Sequence, residues 1–133
     1  MVQRFVFLLV AVIFLPFGAA ADEQVPIKNA SELKGSWAGS GGFGPFGQTV
    51  GGALEYRIKE DGTYTGVLRP RTGPAVNFQG ALEANADGSV ASASTGSTAT
   101  WRLFNVNGRR VLRFEGRNRN TGQATWGEIT EDK

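Results

Sequence analysis

From Gly35 onward the chain is interrupted repeatedly by turn signals: Glu60-Asp61-Gly62, Asp87-Gly88, Thr95-Gly96, Asn107-Gly108 and Thr121-Gly122. Between the signals lie short runs in which apolar and polar residues alternate, and nothing repeats at helical period for three turns. A period of two bounded by glycine-containing turns is the pattern of antiparallel strands joined as hairpins. Nineteen glycines against five prolines, with nine Phe and three Trp, fit tight turns around a packed interior rather than disorder.

Two hairpins can be set by register. Asn-Gly favours a two-residue type I′ turn, which pairs Val106 with Arg109, Leu103 with Leu112 and Trp101 with Phe114. One face is then apolar as far as Asn105 and Arg110. The other carries Arg102 opposite Arg113 and Phe104 opposite Val111. A slip of one residue would set Trp101 against Arg113 and scramble both faces. At Glu60-Asp61-Gly62 a three-residue loop with Gly62 left-handed pairs Ile58 with Tyr64, Tyr56 with Gly66 and Leu54 with Leu68. An aromatic ring over a cross-strand glycine is a known packing device.

Eight strands are expected: 36–39, 48–59, 63–69, 75–83, 89–94, 98–106, 109–116 and 123–130. Strands with one apolar face each must close or stack to hide that face and their edges. The fold class is therefore all-β, a single small antiparallel up-and-down β-barrel, with a two-sheet β-sandwich as the alternative. Eight short strands enclose an interior just wide enough for side chains or one small ligand.

Residues 1–21 read as a cleavable secretory signal: Arg4, the apolar run Phe5 to Leu15, then Pro16, Gly18 and Ala19-Ala20-Ala21. An uncleaved anchor would need about 20 apolar residues, and the run stops at eleven. Cleavage leaves 112 residues, with 22–34 a polar lead-in in which Asn29 or Ser31 caps a short helical turn, and 35–133 the barrel. With no cysteine there is no disulfide despite an oxidising destination. Thirteen Lys and Arg then face twelve Asp and Glu, a balance that implies no general attraction to nucleic acid.

Ser31-Glu32-Leu33-Lys34-Gly35-Ser36-Trp37 resembles the opening of lipocalin-like (calycin) barrels, in which the Trp plugs the closed end and a long first loop lids the mouth. Gly35-Ser36-Trp37-Ala38-Gly39-Ser40-Gly41 is similar to the opening of nitrobindin-like haem barrels, but their histidine ligand has no counterpart here. Ala30 to Trp37 also resembles the opening of bacterial inhibitors of secreted metalloproteases, whose usual disulfide is missing. The resemblance implies a small exported barrel that works by binding.

Absent residues remove much chemistry. Without His or Cys, Ser-His and Cys-His nucleophilic systems cannot form, and typical zinc and haem sites lose their ligands. The carboxylates are scattered, and no cofactor or enzymatic activity is expected. Gly39 to Gly44 fits G-x-G-x-x-G literally, but Pro45 follows where a phosphate-binding helix would have to start.

Three features remain. Gly35 to Gly52 reads as a glycine-rich loop carrying Phe43 and Phe46, a lid or a cap at the barrel end. Arg102, Arg109 and Arg113 form a basic stripe that either binds an anion or is neutralised by neighbours such as Glu55 or Glu128. Trp37, Trp101 and Trp126 read as core or barrel-end residues, although Gln123 to Gly127 also resembles the Thr-Trp pairs that face ligand in avidin-like barrels. The expected ligand-binding set is Phe43, Phe46, Tyr56, Trp101 and Trp126, the expected anion-binding set is Arg102, Arg109 and Arg113, and no metal ligand is expected. The chain thus reads as a periplasmic or secreted monomer holding a small apolar or amphiphilic ligand. The alternatives are an inhibitor of a secreted protease acting through 22–34, and a protein resting on an anionic envelope component. A ligand barrel should hold a cavity lined by residues such as Leu54, Tyr56, Leu82, Leu103 and Phe114.

Overall fold

The computed structural model describes residues 22–44, 50–94, 97–119 and 121–132; the expected signal segment 1–21 and Phe46 lie outside them. Its elements are β1 (Asp22–Val25), a 3-10 turn at Ala30–Leu33, β2 (Gly35–Phe43), β3 (Val50–Ile58), β4 (Thr63–Pro70), β5 (Val76–Ala84), β6 (Val90–Ser94), β7 (Ser97–Val106), β8 (Arg109–Asn118) and β9 (Ala124–Glu131). Each strand from β2 to β8 pairs antiparallel with the next, and β9 returns to pair with β2. The sheet is a closed eight-stranded antiparallel barrel with one extra strand, which excludes the sandwich.

Both hairpin registers are as expected: Trp101 opposes Phe114 and Leu103 opposes Leu112, and Tyr56 opposes Gly66. Their turns take left-handed backbone where the sequence supplies residues that tolerate it, at Asn107 (φ 53°), Gly108 (φ 82°) and Gly62 (φ 89°). In Asp61-Gly62-Thr63 the carboxylate accepts the Thr63 N–H at 3.0 Å and its hydroxyl at 2.7 Å. Asp87 does the same for Ser89, at 3.0 and 2.6 Å. Those side-chain and backbone donors hold both Asp carboxyls below their ordinary range.

The lead-in is more structured than its composition implies. Asn29 caps the 3-10 turn in a capping box with Glu32, but Asp22–Val25 is a strand that the sequence reading missed. β6 covers β7 only from Ser97 to Trp101, and β1 covers Leu103 to Val106. The longer strand would otherwise leave an open edge.

A second correction concerns the glycine run. Gly39, Gly41 and Gly42 belong to β2, paired with β3 on one side and β9 on the other, so Phe43 ends a strand rather than riding a flexible loop. The reason for glycine is close approach. A Cβ on Gly39 would collide with the Glu128 carbonyl and come within 2.8 Å of the Ile129 Cα; on Gly41 it would strike the Trp126 carbonyl and lie 2.8 Å from the Gly127 Cα. These are backbone atoms of β9 and cannot swing aside. Gly41→Ala should therefore cost about 1–3 kcal/mol in urea unfolding by prising open the seam that closes the barrel. Gly51→Ala, whose Cβ meets only the Gly41 carbonyl at 3.5 Å, is the control expected within about 0.5 kcal/mol.

The barrel has two unlike ends. At one, the β3–β4, β5–β6 and β7–β8 turns meet the capped 3-10 turn, and Ile27, Leu33, Trp37, Ile58, Val90, Leu112 and Ile129 are almost wholly buried. Trp37 donates its indole N–H to the Leu33 carbonyl at 2.8 Å. Arg110 lies over the Trp37 ring, 5.4 Å from its centroid, bonding the Glu32 carbonyl at 2.6 Å and Glu131 at 3.0 Å. This end is sealed. At the opposite end β2, β4, β6 and β8 finish and β3, β5, β7 and β9 begin.

Candidate functional site

On β6, β7 and β8 the inward positions grow smaller from the sealed end toward the other. Where the sealed layer has Trp, Ile and Leu, the outer layers present Gly66, Gly80, Ser92, Ser94, Ser97, Ala99 and Gly116. The side chains cannot fill that half, and a cavity of about 250 Å³ remains. Its inner wall is aromatic. Trp101 and Phe114 stack at 4.5 Å between centroids with planes 24° apart. Tyr56 meets Trp101 edge-on at 5.1 Å and Phe114 at 5.8 Å, and touches Tyr64 and Phe78 at 5.5 and 5.3 Å. Toward the mouth the lining turns to Ser94, Ser97, Asn118, Gln123 and Thr125. Among the described residues no Asp, Glu, Lys or Arg lines the cavity.

The few polar atoms inside are specific. Trp101 donates its indole N–H to the Ser92 hydroxyl at 2.9 Å. Tyr56 is 6% exposed, and its hydroxyl makes no hydrogen bond among the described residues. No side-chain oxygen or nitrogen among them is both sealed off and unpaired, so this hydroxyl opens onto the cavity. Burial, with Tyr64 beside it, pushes the Tyr56 phenol far above its ordinary pKa. Burial also raises that of Tyr64, offset in part by the hydroxyls of Ser92 and Ser94. Both rings stay neutral through the physiological range, and the described lining carries no charge.

Of the residues expected to bind ligand, Phe43, Tyr56, Trp101 and Trp126 line this one cavity; Phe46 lies outside the described residues. Leu54 and Phe114 also line it, but Leu82 and Leu103 do not: they are packed into the sealed half. Trp126 corrects the core reading. Its neighbours Gly127 and Thr125 point inward, so it stands on the outer face and reaches only the rim, 38% exposed. Val76, 39% exposed, also lines the cavity. These two are the exposed large hydrophobic residues among those described. Sequence reasoning missed Tyr64, Phe78 and the serines. The signal was the inward column Val90, Ser92, Ser94, too small to meet the rings across from it.

The basic stripe is threaded with carboxylates. Arg113 bonds Glu128 at 2.7 Å and Asp22 at 3.2 Å, with its guanidinium 4.6 Å over the Phe104 ring; the Glu128 bond chiefly raises its pKa. Arg102 stands 3.9 Å from Asp87. Arg109 is exposed at the hairpin tip and joins no ion pair among the described residues. Glu55 pairs with Arg69 instead. Segment 22–34, which a protease inhibitor of the expected kind would project, lies along β7 and across the sealed end. No group of three or more Asp or Glu converges as a metal site among the described residues, and no helix among them is long and apolar enough to cross a membrane. Neither the scan against protein-family models nor the search of curated proteins finds a match for this chain.

Proposed function

We propose that this is an exported, lipocalin-like binding protein whose ligand is a small apolar or amphiphilic molecule held in the barrel cavity. The observation that carries the reading is an uncharged, aromatic-walled space of about 250 Å³ whose mouth displays Val76 and Trp126. Binding sites for small molecules are concave and mostly apolar with a few placed polar groups. Exposed apolar side chains carry meaning when they cluster around such an opening. Burial of an apolar ligand supplies roughly 25 cal/mol per Å² removed from water, and the open Tyr56 hydroxyl offers one point of orientation. The work done is binding, not turnover: among the described residues the cavity lining holds no carboxylate or other general base, and phenols raised above their ordinary pKa stay protonated at neutral pH and are poor proton acceptors.

Filling the cavity is the direct test. Ala99 lines it on β7, and Ala99→Phe puts a ring where the ligand would sit. Titration with N-phenyl-1-naphthylamine, a neutral apolar fluorophore, should show saturable binding to the wild-type protein, weakened about tenfold or more in the variant. Ala38→Phe, on the exposed outer face of β2, should bind as the wild type does. Undiminished binding by a folded Ala99→Phe protein would place the fluorophore elsewhere and end the proposal.

A further inference from the structure

Charge is distributed very unevenly between the two ends of the barrel. The described residues at the open end belong to segments 42–44, 50–52, 69–77, 92–94, 97–99, 116–119 and 121–125. They contain no Asp or Glu at all, yet they hold Arg69, Arg71, Arg117 and Arg119. Most carboxylates lie instead around the sealed end and the barrel's waist, where Glu32, Asp87, Glu128 and Glu131 meet arginine or backbone partners. Glu115, on the outer face of β8 two positions from Arg117, is the carboxylate nearest the open end in the chain and makes no ion pair with it.

Of the four open-end arginines, Arg69 is committed to Glu55. Arg71, Arg117 and Arg119 are exposed and join no ion pair among the described residues. Arg117 donates to the Gly122 carbonyl at 3.1 Å and Arg119 to the Ser94 carbonyl at 3.2 Å. Each bond uses one N–H of a guanidinium that has five and fixes the group at the mouth. Arg117 and Arg119 flank the lining residue Asn118, and their acceptors are Gly122, next to the lining residue Gln123, and the lining residue Ser94. Arg71 stands in the β4–β5 turn, between the lining residues Leu68 and Val76 but adjacent to neither.

An uncharged, largely apolar chamber below a rim whose arginines outnumber its carboxylates has a matching partner in one class of molecule. We propose that the ligand is an anionic amphiphile: its apolar tail occupies the cavity, and its carboxylate or phosphate head stays at the rim between Arg71, Arg117 and Arg119. This rests on the cavity being the binding site and specifies which end of the ligand enters. A charged head inside would lose its hydration with no counter-ion among the lining residues, whereas at the rim it keeps water and gains guanidinium donors suited to oxyanions. A cationic amphiphile meets repulsion at the same place. The recognition element is therefore not the Arg102, Arg109 and Arg113 stripe that the sequence singled out, where Asp22, Glu128 and Asp87 already supply negative charge.

The test uses three probes of one chain length, decanoate, decan-1-ol and decyltrimethylammonium, each displacing N-phenyl-1-naphthylamine at pH 7.5. The expected order is decanoate, then decanol, then the cation. Decanoate should lead decanol by about tenfold, roughly what a few exposed ion pairs amount to together. Raising NaCl from 20 to 500 mM should remove most of that lead and leave decanol unchanged, since only the charged head is screened. Combining Arg71→Gln, Arg117→Gln and Arg119→Gln should bring the decanoate-to-decanol ratio near one, and the corresponding Lys variants should retain part of it. Decyl phosphate in place of decanoate distinguishes a phosphate from a carboxylate head; either leading decanol supports the assignment. Equal affinity for all three wild-type probes overturns the rim while leaving the cavity as the site. Failure of the fluorophore, the alcohol and the anions to bind at all overturns both.

Discussion

Trp37→Ala is expected to cost about 3–5 kcal/mol, the range for truncating a fully buried large aromatic side chain. The ring is 1% exposed and spans the sealed end. Alanine there leaves a hole bounded by strands on every side, which cannot collapse without breaking the closed sheet. Two further losses accompany it. The Leu33 carbonyl gives up its indole donor, and an acceptor left unpaired in a buried place is itself unfavourable. Arg110 loses the ring beneath its guanidinium, though its bonds to Glu32 and Glu131 remain. A domain of this size has a total stability of about 5–15 kcal/mol, so the variant stands close to unfolding. At about 4–8 °C per kcal/mol, its melting temperature should fall by roughly 15 °C or more. A loss below 1 kcal/mol in denaturant unfolding would mean that the sealed end does not depend on its plug.

That prediction was within reach of the sequence, and others were not, for reasons that can be stated residue by residue. The strand pairs came out because a turn dipeptide fixes register and register fixes faces: once Asn107-Gly108 is a two-residue turn, Trp101 must oppose Phe114. β1 was missed because four residues reading Asp-Glu-Gln-Val carry no inward apolar column. The strand exists because β7 is twice as long as β6 and needs a cover, a fact about length that no local pattern contains. The glycines of β2 were misread for a related reason. Glycine marks both a flexible loop and a close approach of two backbones, and only the arrival of β9 against Gly39 and Gly41 distinguishes them.

The cavity was half legible. Alternation identifies Tyr56, Trp101 and Phe114 as inward, but whether inward rings fill a barrel or leave room depends on what stands opposite. Here glycine, serine and alanine stand opposite on β5, β6 and β7, and summed volume rather than periodicity leaves the space. Trp126 was misplaced because a tryptophan is ordinarily assigned to a core, whereas the strand's period of two sets it outside once Gly127 and Ile129 face in. The basic run shows the same limit for charge. Six arginines between residues 102 and 119 look like one patch in the sequence, yet the barrel sends them to opposite ends. Arg110 goes over the plug, Arg113 between two carboxylates, and Arg117 and Arg119 to the mouth.

Alkaline pH should destabilise the protein steeply, and through the cavity. The chain has two tyrosines, Tyr56 and Tyr64, and both line the cavity with phenols held above their ordinary pKa by burial. Below pH 10 the tyrosines are protonated in folded and unfolded chains alike, and the preference for the neutral form contributes its full stability. Above about pH 10 the unfolded chain releases the phenolic protons while the folded protein retains them. The unfolded state then binds fewer protons, and stability falls as pH rises. The slope is about 1.4 kcal/mol per pH unit for each phenol that stays protonated, which amounts to roughly 2 kcal/mol from Tyr56 alone at pH 11.5. Tyr64 steepens the fall over the interval in which it also retains its proton.

Tyr56→Phe should flatten this dependence, and in the wild-type protein tyrosinate absorbance should appear together with loss of near-ultraviolet circular dichroism rather than before it. Tyrosinate forming with a midpoint near 10 in a protein that keeps its native dichroism would show the rings to be wet. That result would also remove the physical basis for an apolar ligand, because a phenol that can ionise freely stands in water, and a water-filled barrel offers an apolar molecule no gain from entering it.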